Sequence, residues 1–140
     1  NDGFRIHSRK YYRKQLEIDF IDLIVAEYKG EIIAANILSC YGDMASYIHG
    51  SSSNKHRNVM APFAIQWFSI QRAQEKGCKF YDLNGIDEDK WQGGTRFKRG
   101  FRGEELEYPG CFDVVFKKGC YGKYQFLRKV RRLVGKILNR

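Results

Sequence analysis

The sequence predicts an α+β fold, a mainly antiparallel mixed sheet flanked by helices. Three patterns carry that expectation. Three β-rich runs follow one another across short turns between Ile18 and His49. A helical apolar period lies between Pro62 and Gly77, and a basic amphipathic helix closes the chain. At 140 residues the chain has the size of one domain with one core, so residues 1–140 are read as a single unit.

Taken in order, Ser8 is placed to cap a short helix that sets Tyr12 and Leu16 on one face and leaves Arg9, Arg13 and Lys14 in water. Ile18 to Tyr28 and Glu31 to Tyr41 read as strands joined by a hairpin turn at Lys29-Gly30, and Gly42-Asp43 turns the chain into a third strand, Met44 to His49. Gly50 to Asn58 is a polar loop. Pro62 suits a first helical turn and Gly77 the residue past the end. Between them Met60, Phe63, Ala64, Trp67, Phe68 and Ile70 form a stripe expected to cover the sheet as core.

Lys79 to Asn84 reads as a short strand, Gly85 to Asp89 as a turn-rich segment and Thr95 to Arg99 as a short helix. Glu105 to Tyr108 and Cys111 to Phe116 are expected to pair as a second hairpin across Pro109-Gly110, before a final helix that starts near Tyr121. In that helix Leu127, Val130, Val134 and Ile137 share one face, while Arg128, Lys129, Arg131, Arg132 and Lys136 occupy the others. A terminal helix of this kind is expected to pack its apolar face on the domain. Its basic face stays free for RNA or, as a peripheral association, an anionic membrane.

Apolar residues make up 43% of the chain and charged residues 29%, which excludes a disordered polypeptide. Lys and Arg number 25 against 16 Asp and Glu, and the net charge of +9 favours polyanionic partners: RNA, phosphorylated precursors or an anionic membrane surface. The charge gathers at Arg5, Arg9, Lys10, Arg13 and Lys14, and again from Lys123 to Arg140. Cys40, Cys78, Cys111 and Cys120 contain no CxxC pair, and His7, His49 and His56 add no finger-like spacing, so reduced thiols and no metal are expected. No apolar run approaches the roughly 20 residues that span a bilayer. Asn1-Asp2-Gly3 opens no signal peptide, so a cytoplasmic protein, extending to the inner face of the membrane, is expected. The missing initiator Met reads as the start of a fragment.

The element order resembles the GNAT (acyl-CoA N-acyltransferase) fold, which implies a sheet that splays beside the long helix and opens a cleft for an acyl donor. A closer resemblance is carried by several segments at once. These are Tyr47-Ile48-His49-Gly50-Ser51-Ser52-Ser53 with Arg57 and Ala61-Pro62, Tyr81-Asp82-Leu83-Asn84-Gly85-Ile86, Phe97-Lys98-Arg99-Gly100-Phe101, Glu107-Tyr108-Pro109-Gly110 and Phe112-Asp113. Together they resemble the FemABX family of peptidoglycan aminoacyl transferases, in its C-terminal GNAT-like domain.

The resemblance implies that aminoacyl-tRNA is the co-substrate, with no other cofactor. It implies that the acceptor is a lipid-linked or UDP-linked peptidoglycan precursor, whose lysine amine, or a peptide already attached to it, attacks the activated carbonyl. The product is an interpeptide bridge, and an N-terminal GNAT-like domain is the missing partner. Lys98 matches the family's functional lysine, which implies a catalytic role in stabilising the negative tetrahedral oxygen. Phe97 is implied to wall the donor site and orient it.

Arg9, Tyr12, Tyr47 and His49 are candidate contacts to the precursor's diphosphate, since Arg forks match phosphate and aromatic tips donate hydrogen bonds. His49 stands where the family pattern carries Tyr. Competing structural readings exist for each. Lys98 lies in a cationic run from Arg96 to Arg102, and Phe97 and Phe101 have the spacing of two packed aromatics on one helical face. Asp82 is the best-placed carboxylate for a general base, but its position two residues before Asn84 favours a turn-stabilising role, and no base is assigned.

Two other functions compete. A CoA-dependent N-acyltransferase cradles the pyrophosphate on backbone N–H groups of a glycine-containing loop at a helix start. Here Asn54-Lys55-His56-Arg57-Asn58-Val59 holds no glycine, which disfavours that donor. A non-catalytic tRNA-binding domain would use the same basic and aromatic surface for phosphate contacts and stacking.

Overall fold

The computed structural model describes residues 6–138. Asn1-Asp2-Gly3, Arg5 and Arg140, together with the side chains of Lys136 and Ile137, lie outside the described residues. The chain forms two compact units, Asn1–Gly103 and Glu104–Arg140.

In the first unit, helix α1 (Arg9–Gln15) begins where the Ser8 hydroxyl accepts the Tyr11 N–H at 3.3 Å. Strands β1 (Ile21–Tyr28), β2 (Glu31–Tyr41) and β3 (Met44–Ser52) make an antiparallel meander. Lys29 and Gly30 both take left-handed φ values, 52° and 79°, as a two-residue turn between twisted strands requires. β1 starts later than the β-rich run suggests, because Ile18 and Ile21 first donate N–H bonds to Gln15 and Ile18 carbonyls as the chain leaves α1. Helix α2 (Ala61–Glu75) carries Pro62 in its first turn and ends before Gly77, whose φ is 83°. It leads to β4 (Phe80–Asp82), which joins the sheet beside β3 in parallel, giving the order β1-β2-β3-β4. Helix α3 (Gln92–Arg99) follows and includes the Thr95 to Arg99 segment.

The core lies between β2 and α2. Ile33 and Ala34 meet Ala61 and Ile65, and Leu38 and Ala45 meet Ala73. The stripe expected from sequence is therefore not the core. Met60, Trp67 and Phe68 are more than half exposed, and the helix face laid on the sheet is Ala61, Ile65, Gln66, Ser69 and Ala73. The physical reason is close approach to a polar strand centre. Asn36 is buried in the middle of β2, and only small or hydrogen-bonding side chains match it. Its Nδ2 donates to Gln66 Oε1 at 3.1 Å and to Ser69 Oγ at 3.3 Å. Gln66 Nε2 donates onward to the Tyr81 hydroxyl at 2.7 Å, and Ser69 Oγ donates to the Ile65 carbonyl. A network that satisfies its buried polar groups fixes both register and helix position.

The second unit corrects a second expectation. Glu105 to Tyr108 and Cys111 to Phe116 form no strands, and Leu106, Tyr108, Phe112, Val114 and Phe116 are exposed. A β-propensity read from local composition reports fit to a half-buried pleated surface, and these side chains meet none within their own unit. Helix α4 (Lys118–Leu138) starts three residues before Tyr121. The Tyr121 hydroxyl donates to Asp113 Oδ2 at 2.5 Å, tying the irregular segment to the helix within this unit. Leu127 and Val134, expected as packed residues, are 65% and 46% exposed.

If the Asn36 network holds α2 to the sheet, Asn36→Ala strands the buried Gln66 carbonyl and lowers unfolding stability by about 1–3 kcal/mol. Tyr81→Phe removes one bond at the network's end and costs about 0.5–1.5 kcal/mol. Urea titration of the two variants and the parent, compared at constant m-value, checks the order.

Candidate functional site

The site grows from the place where β3 and β4 part. Their parallel pairing covers Met44–Ser46 against Phe80–Asp82 and stops, while β3 runs on to Ser52. The opening is held by side chains rather than by further strand pairing. Asp82 Oδ1 accepts the Asn84 N–H at 2.6 Å, a turn that supports Asn84 in a left-handed backbone with φ of 62°. Asn84 Nδ2 then donates to the Tyr47 carbonyl on β3 at 2.5 Å. This arrangement matches the turn-stabilising reading of Asp82.

Directly beyond this bridge, Lys98 Nζ donates to the Gly85 carbonyl at 2.7 Å. The lysine comes from α3, and α3 is positioned by a reciprocal pair of bonds. Asp87 N–H donates to Thr95 Oγ1, and Thr95 Oγ1 donates to the Asp87 carbonyl, both at 3.0 Å, with Thr95 buried. Arg99 adds an ion pair to Glu88. Lys98 is half-buried, and desolvation holds its ammonium below the ordinary lysine range, with the Asp82 carboxylate pulling the other way. One of its three N–H donors is engaged by Gly85. The result is a cation fixed on backbone just past the end of β4, partly withdrawn from water.

Phe97 has different company. Its ring lies 4.9 Å from that of Phe63 and 5.4 Å from that of Phe101, both edge-on, so it joins α3 to α2 as packing.

The remaining candidates separate into two groups because of a bulge in β3. Leu38 pairs with Tyr47 but Ile37 pairs with His49, which leaves Ile48 as the extra residue. Cross-strand partners share a face, so Tyr47 lies with Leu38 on the α2 side and His49 with Ile37 on the opposite side. Tyr47 is largely withdrawn from water, which pushes its phenol pKa up. Its hydroxyl occupies the space beside Gly50, where an added Cβ would stand 1.6 Å away.

On the other face, α1 meets β3 in an aromatic group. The His49 ring lies 5.4 Å from Tyr12 and 5.9 Å from Tyr11, and His7 stacks on Tyr11 at 4.2 Å. Tyr11 OH and His49 Nε2 are 3.5 Å apart. Burial, and then the neighbouring His7, lower the His49 pKa, which favours its neutral form. Arg9 is exposed on α1, one turn before Tyr12. The structure thus brings Tyr12 and His49 together, keeps Arg9 on the same helix, and separates all three from Tyr47.

Sequence reasoning passed over Tyr11, His7, Thr95 and Gly50 as parts of these arrangements, and Asn84 as a bridge to Tyr47. Asn84-Gly85 after a short strand was the available signal, since Asn and Gly tolerate left-handed backbone.

Over residues 3–129 the sequence matches the model of the FemAB family. The chain belongs to the FemAB family. It is 32% identical over 91 residues to Aminoacyltransferase FemA of Staphylococcus epidermidis, a match covering 61% of this chain and 22% of that protein. The corresponding match in Staphylococcus aureus (strain MW2) is 33% identical over 90 residues, covering 61% and 21%. The match therefore spans about a fifth of the length of these relatives.

Among solved structures, an aminoglycoside acetyltransferase from an uncultured soil metagenomic sample superposes with a TM-score of 0.60 at 15% identity, over 82% of this chain and 78% of that one. A ribosomal-protein-alanine N-acetyltransferase from Brucella melitensis biovar Abortus 2308 gives 0.56 at 15% identity, over 79% and 82%. The FemAB chain has the GNAT acetyltransferase fold, with its mixed sheet and flanking helices.

Two substitutions probe the site's construction. Gly50→Ala forces the Tyr47 ring from its place and costs about 1–3 kcal/mol as overpacking, read as a shift of the Tyr47 ring resonances together with a lower unfolding midpoint. Thr95→Val keeps the volume and removes the acceptor of the Asp87 N–H, while the Asp87 carbonyl keeps the Trp91 N–H, costing about 0.5–1.5 kcal/mol. Amide exchange checks the second variant: protection should fall in Asp87 and α3 while β1–β3 stay unchanged.

Proposed function

We propose that this chain is the C-terminal GNAT-like domain of a two-domain Fem-type enzyme, one that transfers an amino acid from aminoacyl-tRNA to the peptide stem of a peptidoglycan precursor, forming an interpeptide bridge. The observation that carries the reading is the Lys98 ammonium, held on the Gly85 carbonyl just past the end of β4. Family membership supports it, as do relatives named Aminoacyltransferase FemA.

In this reading the acceptor amine attacks the ester carbonyl of the charged tRNA. A C–N bond forms, the carbonyl oxygen becomes negative, and the tetrahedral species then breaks its C–O bond to the tRNA ribose. Overall, the amine loses a proton and the departing ribose oxygen gains one. Lys98 supplies a preorganised positive charge for the negative oxygen; its partial desolvation strengthens that interaction relative to water. Asp82 is not assigned as the base, because its Oδ1 already accepts the Asn84 N–H. Phe97 acts through packing, by fixing the helix that carries Lys98. Tyr47 receives the Asn84 bridge on its carbonyl, whereas Arg9, Tyr12 and His49 form a separate basic and aromatic surface suited to a phosphorylated precursor.

The fold likeness to acetyltransferases raises acyl-CoA as the competing donor, and the segment before α2 argues against it. Val59 and Met60 donate their N–H groups to His56 and Arg57 carbonyls within a 3-10 turn (Arg57–Val59). Phe63 and Ala64 donate to the Met60 carbonyl, and Pro62 has no N–H. The Val59, Met60, Phe63 and Ala64 N–H groups at this helix start are thus engaged by the chain itself rather than offered to a pyrophosphate.

The decisive assay offers the intact polypeptide carrying these residues either charged tRNA or acyl-CoA, each with a peptidoglycan precursor. Transfer is expected from tRNA alone. Transfer only from acyl-CoA refutes the reading, and salt-sensitive tRNA binding without transfer identifies a binding domain instead. Lys98→Ala is expected to lower kcat by about 100-fold or more, on the scale of one lost oxyanion donor, with an unchanged circular dichroism spectrum. Undiminished turnover would return Lys98 to a structural role on Gly85.

A further inference from the structure

Helix α4 carries an apolar face that the rest of its own unit, Glu104–Arg140, leaves exposed. At 21 residues it is about 31 Å long. Phe126, Leu127, Val130, Leu133 and Val134 fall within an arc of about 120° at 100° per residue. All five are exposed, from 39% at Val130 to 67% at Phe126. Helices in water gain most of their stability by burying such a face, and Gly119, Gly122 and Gly135 weaken the intrinsic preference of this one. An exposed apolar arc on a glycine-containing helix therefore calls for an occupant.

Charge identifies the occupant. The remaining arc holds Arg128, Lys129, Arg131 and Arg132, and Lys118–Leu138 contains no Asp or Glu. Among the described residues no ion pair engages these four cations. Lys129 and Arg131 border the apolar arc on its two sides, where long basic side chains reach headgroups while the apolar residues enter the acyl boundary. No described helix is long and apolar enough to cross a membrane. RNA would use the cations and leave Phe126 and Leu133 in water; an anionic bilayer surface accommodates both faces.

We infer that α4 is an in-plane anchor that docks on an anionic lipid surface, with Phe126, Leu127, Val130, Leu133 and Val134 inserted and the arginines over the headgroups. The inference is independent of the transfer reaction, because its readout is lipid binding.

The test is co-sedimentation of the whole chain with vesicles of phosphatidylglycerol and phosphatidylcholine, and with vesicles of phosphatidylcholine alone. Binding is expected to the anionic vesicles, weakened by salt, and at least about tenfold weaker to the neutral ones. The triple variant Arg128→Gln, Arg131→Gln, Arg132→Gln is expected to lose more than about tenfold in anionic binding. Leu133→Glu is expected to abolish binding without moving the thermal midpoint; a lower midpoint would show that the face packs on protein and overturn the inference. Phe126→Trp adds a readout that needs no inserted charge. Its extra indole fluorescence, relative to the parent, is expected to shift blue on anionic vesicles and to be quenched by brominated lipid. Absence of vesicle binding, equal binding to both lipids, or binding to single-stranded RNA alone would each overturn the proposal.

Discussion

The structure depends on one chain of hydrogen bonds that passes from sheet to helix and back to sheet. Asn36 in the centre of β2 holds Gln66 and Ser69 of α2, and Gln66 holds Tyr81 of β4. β4 is three residues long and pairs with β3 over that length only, so strand pairing alone gives it a weak position. The polar chain adds a second point of attachment. Its location decides where the parallel pairing stops, where Asn84 reaches Tyr47 and where Gly85 offers its carbonyl to Lys98. Burial pushes the Tyr81 phenol well above the ordinary tyrosine range.

A single extra residue in β3 then divides the neighbourhood. Without Ile48 as a bulge, Tyr47 and His49 would point the same way; with it, one faces α2 and the other faces α1. The division produces two chemically different surfaces from adjacent residues. One carries Tyr47, whose carbonyl receives the Asn84 bridge. The other is a cluster of imidazole and phenol rings with the exposed Arg9 nearby. The bulge supplies that separation within one strand.

Much of the fold was legible because local chemistry and tertiary structure agree there. Ser8 caps α1, Lys29-Gly30 makes the tight hairpin, and Pro62 and Gly77 bound α2. The stripe of α2 was misread because hydrophobicity was taken as the marker of the buried face. Its true marker was complementarity to Asn36, a long-range pairing with Gln66 and Ser69 that periodicity does not encode. The hairpin expected after Gly103 did not form: Tyr108, Phe112 and Val114 have β propensity, but the strand pairing it would need is absent within their own unit. At the site, Lys98 was legible through a motif, while its partner was a backbone carbonyl, which leaves no mark on the identity of residue 85. The split between Tyr47 and His49 was hidden because a bulge is set by register with β2.

In the 3-10 turn before α2, the segment from His56 to Met60 closes on itself through the Val59 and Met60 N–H groups, outside the strand pairing of the sheet. Met60 holds a left-handed conformation with φ of 54°, a strained posture for a residue with a long side chain. Met60→Gly would relieve that strain without changing the sheet. Backbone strain of this kind is thus concentrated in a loop at a helix start rather than spread through the core.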